Sequence, residues 1–280
     1  MKKLAAALAL SLLPLAFAAQ AEITTTDVVG RKVTVPDVPK RVVLGFYYED
    51  YLAIAGPGSL DRVVGLSLTT WKDWRPKQFA AYEKALPKLK TLPDVGSTDD
   101  NTFSIEKLIA TKPDLLILAT FSYEALGESV KQIEAAGIPV LVLDYLSQTV
   151  DKHVASTLAL GKIMGQEKRA QELADNYRKA FEDIDARIKK AGPTKKKVYF
   201  ELAQKGASEV GNSYGNSMWG ALVTRLGGHN IADGQVGNWG PLSPEYVLSQ
   251  KPDLIFLAGS EWLNKPQAVQ MGFGATAAGG

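Results

Sequence analysis

Phe46-Tyr47-Tyr48-Glu49-Asp50-Tyr51 places four aromatic rings and two carboxylates in six consecutive residues. Neighbouring carboxylates do acid–base chemistry when their surroundings push their pKa values apart. At the start of a helix they are more simply matched to its dipole and to solvent. Other rings and cations cluster nearby in similar stretches. "SLTTWKDWR" carries Trp71, Lys72, Trp74 and Arg75, "TFSY" carries Tyr123, and Lys205, Tyr214, Trp239 and Trp262 follow later. Aromatic faces suit flat or catecholate ligands, and lysine or arginine pairs with anionic groups. The candidate ligand-binding residues are therefore Tyr47, Tyr48, Trp71, Lys72, Trp74, Arg75, Tyr123, Lys205, Trp239 and Trp262. Each ring taken singly could equally fill a core. Tyr51, deeper in its helix, is expected to do so.

Catalytic and metal chemistry find little support. The only histidines are His153 and His229, at unrelated positions, and there is no cysteine. That excludes thiolate sites and a three-histidine cage for a bare metal ion. Direct ligation of a haem iron by a tyrosine or histidine stays open. There is no G-x-S-x-G elbow and no phosphate loop. "GNSYGNSMWG" is glycine-rich but lacks the Lys-Ser/Thr ending, and reads as a turn before a helix. No nucleophile, base and orienting group come together, so the expectation is a binding protein rather than an enzyme, without metal or cofactor.

The elements that would position these residues alternate. Ile23–Thr26 and Lys32–Val35 flank Val28-Val29-Gly30-Arg31 as a hairpin. Compact apolar strands are expected at 41–45, 62–66, 115–119 and 139–143, with helices from about Glu49 to Gly56 and from Ala125 to Ala136. Apolar strands separated by helices indicate parallel βαβ units. From Gln166 to Lys190, apolar residues recur at helical spacing (Ala170, Leu173, Tyr177, Phe181, Ile184, Ile188), predicting one helix of roughly 35–40 Å. The pattern then restarts, with strands at 197–202 and 254–258 and a helix from Trp219 to Leu226. In open α/β sheets ligands sit beyond the carboxyl ends of the strands, which is where most of the aromatic stretches fall.

One short sentence is written twice. Ser104, Glu106 and Lys112-Pro113-Asp114-Leu115 match Ser243, Glu245 and Lys251-Pro252-Asp253-Leu254. Serine is a good N-cap, and a glutamate in the first turn favours the helix dipole. Capping alone does not explain the shared Lys-Pro-Asp-Leu and the apolar run in the same register, which point to duplicated lobes. The domains expected are a signal peptide at 1–21, an α/β lobe at 22–150, a linking helical segment at 151–192 and a second lobe at 193–280. The tail from Gly259 contains no apolar strand, so the second lobe is expected to lack its closing strand and to be truncated.

The first 21 residues combine Lys2 and Lys3, an apolar run and Ala19-Gln20-Ala21, the pattern of a cleaved secretory signal. Without cysteine there is no lipid attachment point, and the expected location is the periplasm. The formal charge of +2 is accounted for by Lys2 and Lys3, so nothing basic remains to suggest nucleic acid.

The signal segment, "DVVGRKVTVPDVPKRVVLG", "DRVVGLS", "SIEKLIATKPDLLILA", "EAAGIPVLVLD", the long helix and "LSPEYVLSQKPDLIFLAG" together resemble the periplasmic substrate-binding proteins of ABC importers for ferric siderophores, haem and cobalamin. The resemblance implies two Rossmann-like α/β lobes with parallel sheets, joined by a single long helix, and a ligand held between them. It implies a permease dimer with its ATPase as partner, and Glu106 and Glu245 as the two docking contacts to it. The aromatic and cationic cluster makes a small-molecule metal chelate, foremost a ferric siderophore, the expected ligand, with haem, cobalamin or an oxyanion such as molybdate as alternatives, and the carrier is expected to be a monomer.

Overall fold

The computed structural model describes residues 22–258 except 57, 193, 195 and 203–211. The chain opens with a hairpin, β1 (Ile23–Thr26) antiparallel to β2 (Lys32–Val35). The first lobe is a parallel sheet of β3 (Val42–Leu44), β4 (Val63–Leu66), β5 (Leu115–Ala119) and β6 (Val140–Leu143), in the order β4-β3-β5-β6. Its strands are apolar at every position because both faces are covered. Val42, Leu44, Leu115 and Ile117 point into one apolar layer, and Val43, Leu116 and Leu118 into the other.

Helix α1 (Tyr48–Ala55) follows β3, and α2 (Leu68–Lys72) and α3 (Pro76–Ala85) follow β4. Helix α4 (Ile105–Ala110) precedes β5. The single helix expected from Ala125 to Ala136 is two, α5 (Thr120–Leu126) and α6 (Ser129–Ala135). Gly127 separates them at φ 49°, a conformation that favours glycine over residues with a Cβ.

Helix α7 (Val150–Ile163) packs on the first lobe, and the 25-residue α8 (Glu167–Ala191), nearly the range its periodicity predicts, folds back against it. The close approach of α7 and α8 needs Gly161, where a Cβ would lie 2.1 Å from that of Ala170. The chain then enters β7 (Lys197–Leu202), β8 (Asn212–Tyr214), α9 (Met218–Arg225), β9 (His229–Asn230), β10 (Trp239–Pro241), α10 (Pro244–Gln250) and β11 (Leu254–Ala258). The second parallel sheet has the order β11-β7-β9, and β8 pairs antiparallel with β10. Asn212–Tyr214, expected as a turn, is thus a strand.

The two sheets repeat one plan. In each, the first strand (β3 or β7) is central, the next parallel strand lies on one side and the Lys-Pro-Asp strand on the other. The twice-written sentence has a mechanical meaning. Ser104 Oγ accepts from the Lys107 N–H and Ser243 Oγ from the Tyr246 N–H, so both serines cap as expected. Lys112 and Lys251 both turn the chain out of the helix in a left-handed conformation, φ 48° and 49°. The Asp114 carboxylate accepts from the backbone N–H groups of Lys40 and Arg41 at 2.8 Å, and Asp253 from that of Lys197 at 2.7 Å. Each aspartate therefore anchors the entry of the neighbouring central strand.

The second copy is less enclosed. Leu115 to Ala119 are fully buried, whereas Leu254 to Leu257 are 40–51% exposed. The expectations of a lacking closing strand and of a signal segment fall on residues 259–280 and 1–21, outside the described residues. No described helix is long and apolar enough to cross a membrane.

Candidate functional site

The lobes meet beyond the carboxyl ends of their strands. The Met218 N–H at the start of α9 donates to the Leu146 carbonyl in the loop after β6, at 3.0 Å. Arg225, at the end of α9, pairs with Asp185 of α8 at 2.7 Å and lies over the Phe181 ring. Arg75 lies close enough to Tyr214 for its charge to oppose the upward shift that burial imposes on that phenol.

On the first-lobe side, Phe46 is the hub of a ring cluster. Its ring lies 5.1 Å from Tyr47, 5.1 Å from Phe121 and 6.5 Å from Trp74, edge to face in each case. Trp74 remains 46% exposed. On the second-lobe side, Phe200 of β7 stacks on Trp219 at 5.5 Å and meets Tyr214 edge-on at 5.9 Å. Trp239 is the cross-strand partner of Tyr214. Trp219 and Trp239 keep about half their surface exposed. Gly220 lets α9 come this close to β8, since a Cβ there would lie 1.9 Å from the Gly215 carbonyl oxygen. Large rings left open beside a junction between lobes are what a ligand-binding wall requires.

The sequence-predicted residues divide. Trp74, Arg75 and Trp239 stand at this junction. Lys72 is exposed at the end of α2. Tyr47, Tyr48 and Trp71 are corrected to core residues, each no more than 3% exposed. "SLTTWKDWR" was expected as a loop, but α2 turns Trp71 inward, where it stacks on Tyr48 at 4.6 Å and meets Phe79 edge-on. The Tyr48 hydroxyl bonds to the Ser67 carbonyl and the Thr70 hydroxyl. The Tyr47 hydroxyl accepts from the Tyr145 N–H at 3.0 Å. Burial pushes both phenols well above their ordinary pKa, so neither is poised to become a phenolate.

Tyr123 lies on the opposite face of the first sheet from Phe46, under the Arg31 guanidinium at 4.7 Å. It is corrected to a packing role there. Lys205 and Trp262 lie outside the described residues. Phe46, Phe121 and Trp219 complete the junction but were not among the predicted ligand residues. Phe46 and Phe121 each lie two residues past the end of a strand, which is the signal that would have found them. Trp219 was assigned only to its helix.

Electrostatics at the first-lobe wall centre on α1. Arg75 donates to Glu49 at 3.2 Å, so the cation expected to meet an anionic ligand already has a partner. Asp50, in the same turn, has a pKa raised to about 6, by burial first and by the Glu49 charge second. Behind it, Tyr145 meets Tyr47 edge-on at 4.9 Å and His153 at 4.6 Å, and His153 stacks on Tyr177 of α8 at 3.7 Å. Burial lowers the His153 pKa to about 4, and its Nδ1 has no hydrogen-bond partner. His153, expected at the surface or as a cap, is instead an aromatic spacer between α7 and α8. Among the described residues, no group of three or more carboxylates and histidines could hold a metal ion.

Glu106 and Glu245 sit in the first turns of α4 and α10, both exposed and in no ion pair among the described residues. Both helices lead into the amino ends of their strands, so these carboxylates lie away from the ring clusters.

The fold is shared with known proteins. A TroA-like periplasmic binding protein from Veillonella parvula, FepB, superposes with a TM-score of 0.74 at 31% identity, over 87% of this chain and 72% of its own. The ABC transporter substrate-binding lipoprotein YvrC of Bacillus subtilis is 26% identical over 83% of this chain and 68% of its own length. The molybdate-binding protein MolA of Haemophilus influenzae is 26% identical over 87% of this chain and 70% of its own. The periplasmic binding protein family model matches residues 43–271, and the chain belongs to that family, the substrate-binding class of ABC importers.

Proposed function

We propose that this chain is the solute-capturing component of an ABC importer, which takes up a metal chelate, foremost a ferric siderophore, between its lobes and hands it to the permease. The observation that carries the reading is the pair of open ring clusters on facing lobes, Trp74 with Phe46 on one and Trp219 with Trp239 on the other. Two half-exposed indole walls suit a ligand with broad apolar or aromatic faces better than a small, strongly hydrated oxyanion. Haem is the nearest rival. It would need an axial ligand, and the buried, hydrogen-bonded Tyr47 and Tyr48 do not suit that role. The pairing of Arg75 with Glu49 also favours a chelate of low net charge over a strongly anionic one. The role is binding, without catalysis or a resident cofactor. The mature protein is proposed to begin near residue 22 and to act as a periplasmic monomer without a lipid anchor.

The test is titration of the purified protein with ferric trihydroxamate and tris-catecholate chelates, haemin, cyanocobalamin and molybdate, followed by tryptophan fluorescence and visible absorbance. The reading expects saturable quenching by a ferric chelate. Quenching by neither ferric chelate, with tight binding of molybdate or cyanocobalamin instead, would overturn it.

The proposed contacts with the permease dimer are Glu106 and Glu245. Support comes from their matched places in the two lobes and their freedom from partners among the described residues. The combined Glu106→Ala and Glu245→Ala variant is expected to keep its ligand affinity and to lose uptake in cells, because such charges act on association with the partner. Wild-type uptake by that variant contradicts the docking role.

A further inference from the structure

The twice-written sentence carries a second matched feature, which capping and strand anchoring leave unexplained. Three residues after Glu106 comes Ile109, and three residues after Glu245 comes Leu248. Positions three apart are neighbours on one helix face, so α4 and α10 each set an aliphatic side chain beside the exposed carboxylate. Ile109 is 45% exposed and Leu248 75%. A lone exposed aliphatic group is ordinary. Among the described residues, however, the other large exposed apolar groups fall on the ring walls, on β11, and singly at Val29 and Leu226. Ile109 and Leu248 alone among them share a place in both copies of the repeat. Beside Glu106 on α4, Lys107 and Ala110 line a depression of about 540 Å³ that also takes in Val64, Pro93 and Asp94, with room for a partner's side chain.

We propose that Ile109 and Leu248 are the apolar centres of two equivalent docking patches, each pairing an aliphatic knob with a carboxylate, and that their occupant is the permease dimer. This rests on the docking role of Glu106 and Glu245 and deepens it by naming what the partner must present: a basic side chain next to an apolar hollow, once on each subunit. Two like patches, one per lobe, fit a partner whose own surface is repeated by two-fold symmetry. The charge that the two patches share is negative. Contact between two copies of this chain through them would set carboxylate against carboxylate, whereas a basic partner is matched. The two groups divide the work. The exposed carboxylate acts on encounter and its salt dependence, and the aliphatic group, covered on docking, acts on how long the complex lasts.

The experiment titrates purified protein onto right-side-out membrane vesicles that carry the importer's permease and ATPase, with vesicles of the same cells lacking them as background, at about 50 mM and about 500 mM salt. Ile109→Ser with Leu248→Ser is expected to bind about tenfold or more weakly at both salt concentrations. Glu106→Ala with Glu245→Ala should weaken binding chiefly at low salt. Leu226→Ser, an exposed change away from both patches, should bind as the wild type does. All these positions face solvent, so the fold is kept, and equal urea midpoints check this. Wild-type binding by the double serine variant, with loss in the double alanine variant, overturns the apolar role and leaves the carboxylate docking standing. Loss in the serine variant alone supports the apolar contact and overturns the carboxylates' part in docking. Wild-type binding by both overturns the two roles together. A loss in Leu226→Ser as large as in the serine variant overturns the assignment of these two positions. Sedimentation of the purified chain addresses the other occupant: a dimer that the serine variant dissolves would give the patches to a second copy and overturn the permease as partner.

Discussion

At the scale of single residues, the chemistry of a ring is decided by the element that carries it. Trp71 and Trp74 are three positions apart, yet one is sealed in the core and the other half open. The sequence places both after a strand but does not show the short α2, whose five residues give too little periodicity to register. Tyr48 is likewise hidden by its position in the first turn of α1. His153 is a sharper case, since a lone histidine near a helix start gives no sign that it will be stacked between Tyr145 and Tyr177. Its lowered pKa sets a pH dependence of stability. An unfolded chain takes up a proton near pH 6.5, while the folded one resists until about pH 4. Stability is therefore full above pH 6.5 and falls as the pH drops through that window. Replacement by phenylalanine keeps the ring and removes the titration. In urea melts from pH 4 to 8, His153→Phe should show a shallower acid limb than the wild type. The difference should stay below the ceiling of about 1.4 kcal/mol per pH unit that one proton sets, because the ring is only half-buried. Parallel acid limbs would contradict this.

Elements with strong local signals were legible from sequence alone. The hairpin, the strands at 115–119, 197–202 and 254–258, and the long helix fall at or within a residue of their expected bounds. Each has an uninterrupted apolar run or a sustained period. The duplication was also legible, and so were its serine caps. The reason for Lys-Pro-Asp was not, because Asp114 and Asp253 act on strands more than fifty residues earlier, a pairing no local pattern contains. Asp114→Ala leaves the Lys40 and Arg41 N–H groups without their acceptor, and solvent replaces it only in part. The expected loss is about 1–2 kcal/mol in chemical denaturation. Asp114→Asn, which keeps an acceptor oxygen, should lose less. Equal losses would show that charge rather than strand anchoring explains the aspartate.

For the molecule as a whole, the lobes are tied by a helix rather than by flexible strands. Between Glu167 and Ala191 there is neither proline nor glycine, and sharp helix bends need one of these or a bulge. Arg225 with Asp185 and Met218 with Leu146 add fixed points across the junction. Scattering profiles with and without a bound ferric chelate should nearly overlay. A change of more than about 1 Å in radius of gyration would point to a hinge that this architecture does not provide. The two-lobed plan followed from the repeated pattern and the long helix. The junction followed only in part, because its walls are built from residues more than a hundred positions apart that no spacing connects.

The central claim is that a chelate is held between the open indole walls of the two lobes. Calorimetric titration of wild type, Trp74→Ala, Trp239→Ala and the double variant with the tightest-binding ferric chelate tests it most directly. Each single change is expected to weaken binding by about fivefold or more, and the double change by more than either, since stacked or cation–π contacts in a desolvated wall are worth about 1–2 kcal/mol each. A double variant that binds the chelate with wild-type affinity would place the ligand elsewhere and contradict the account.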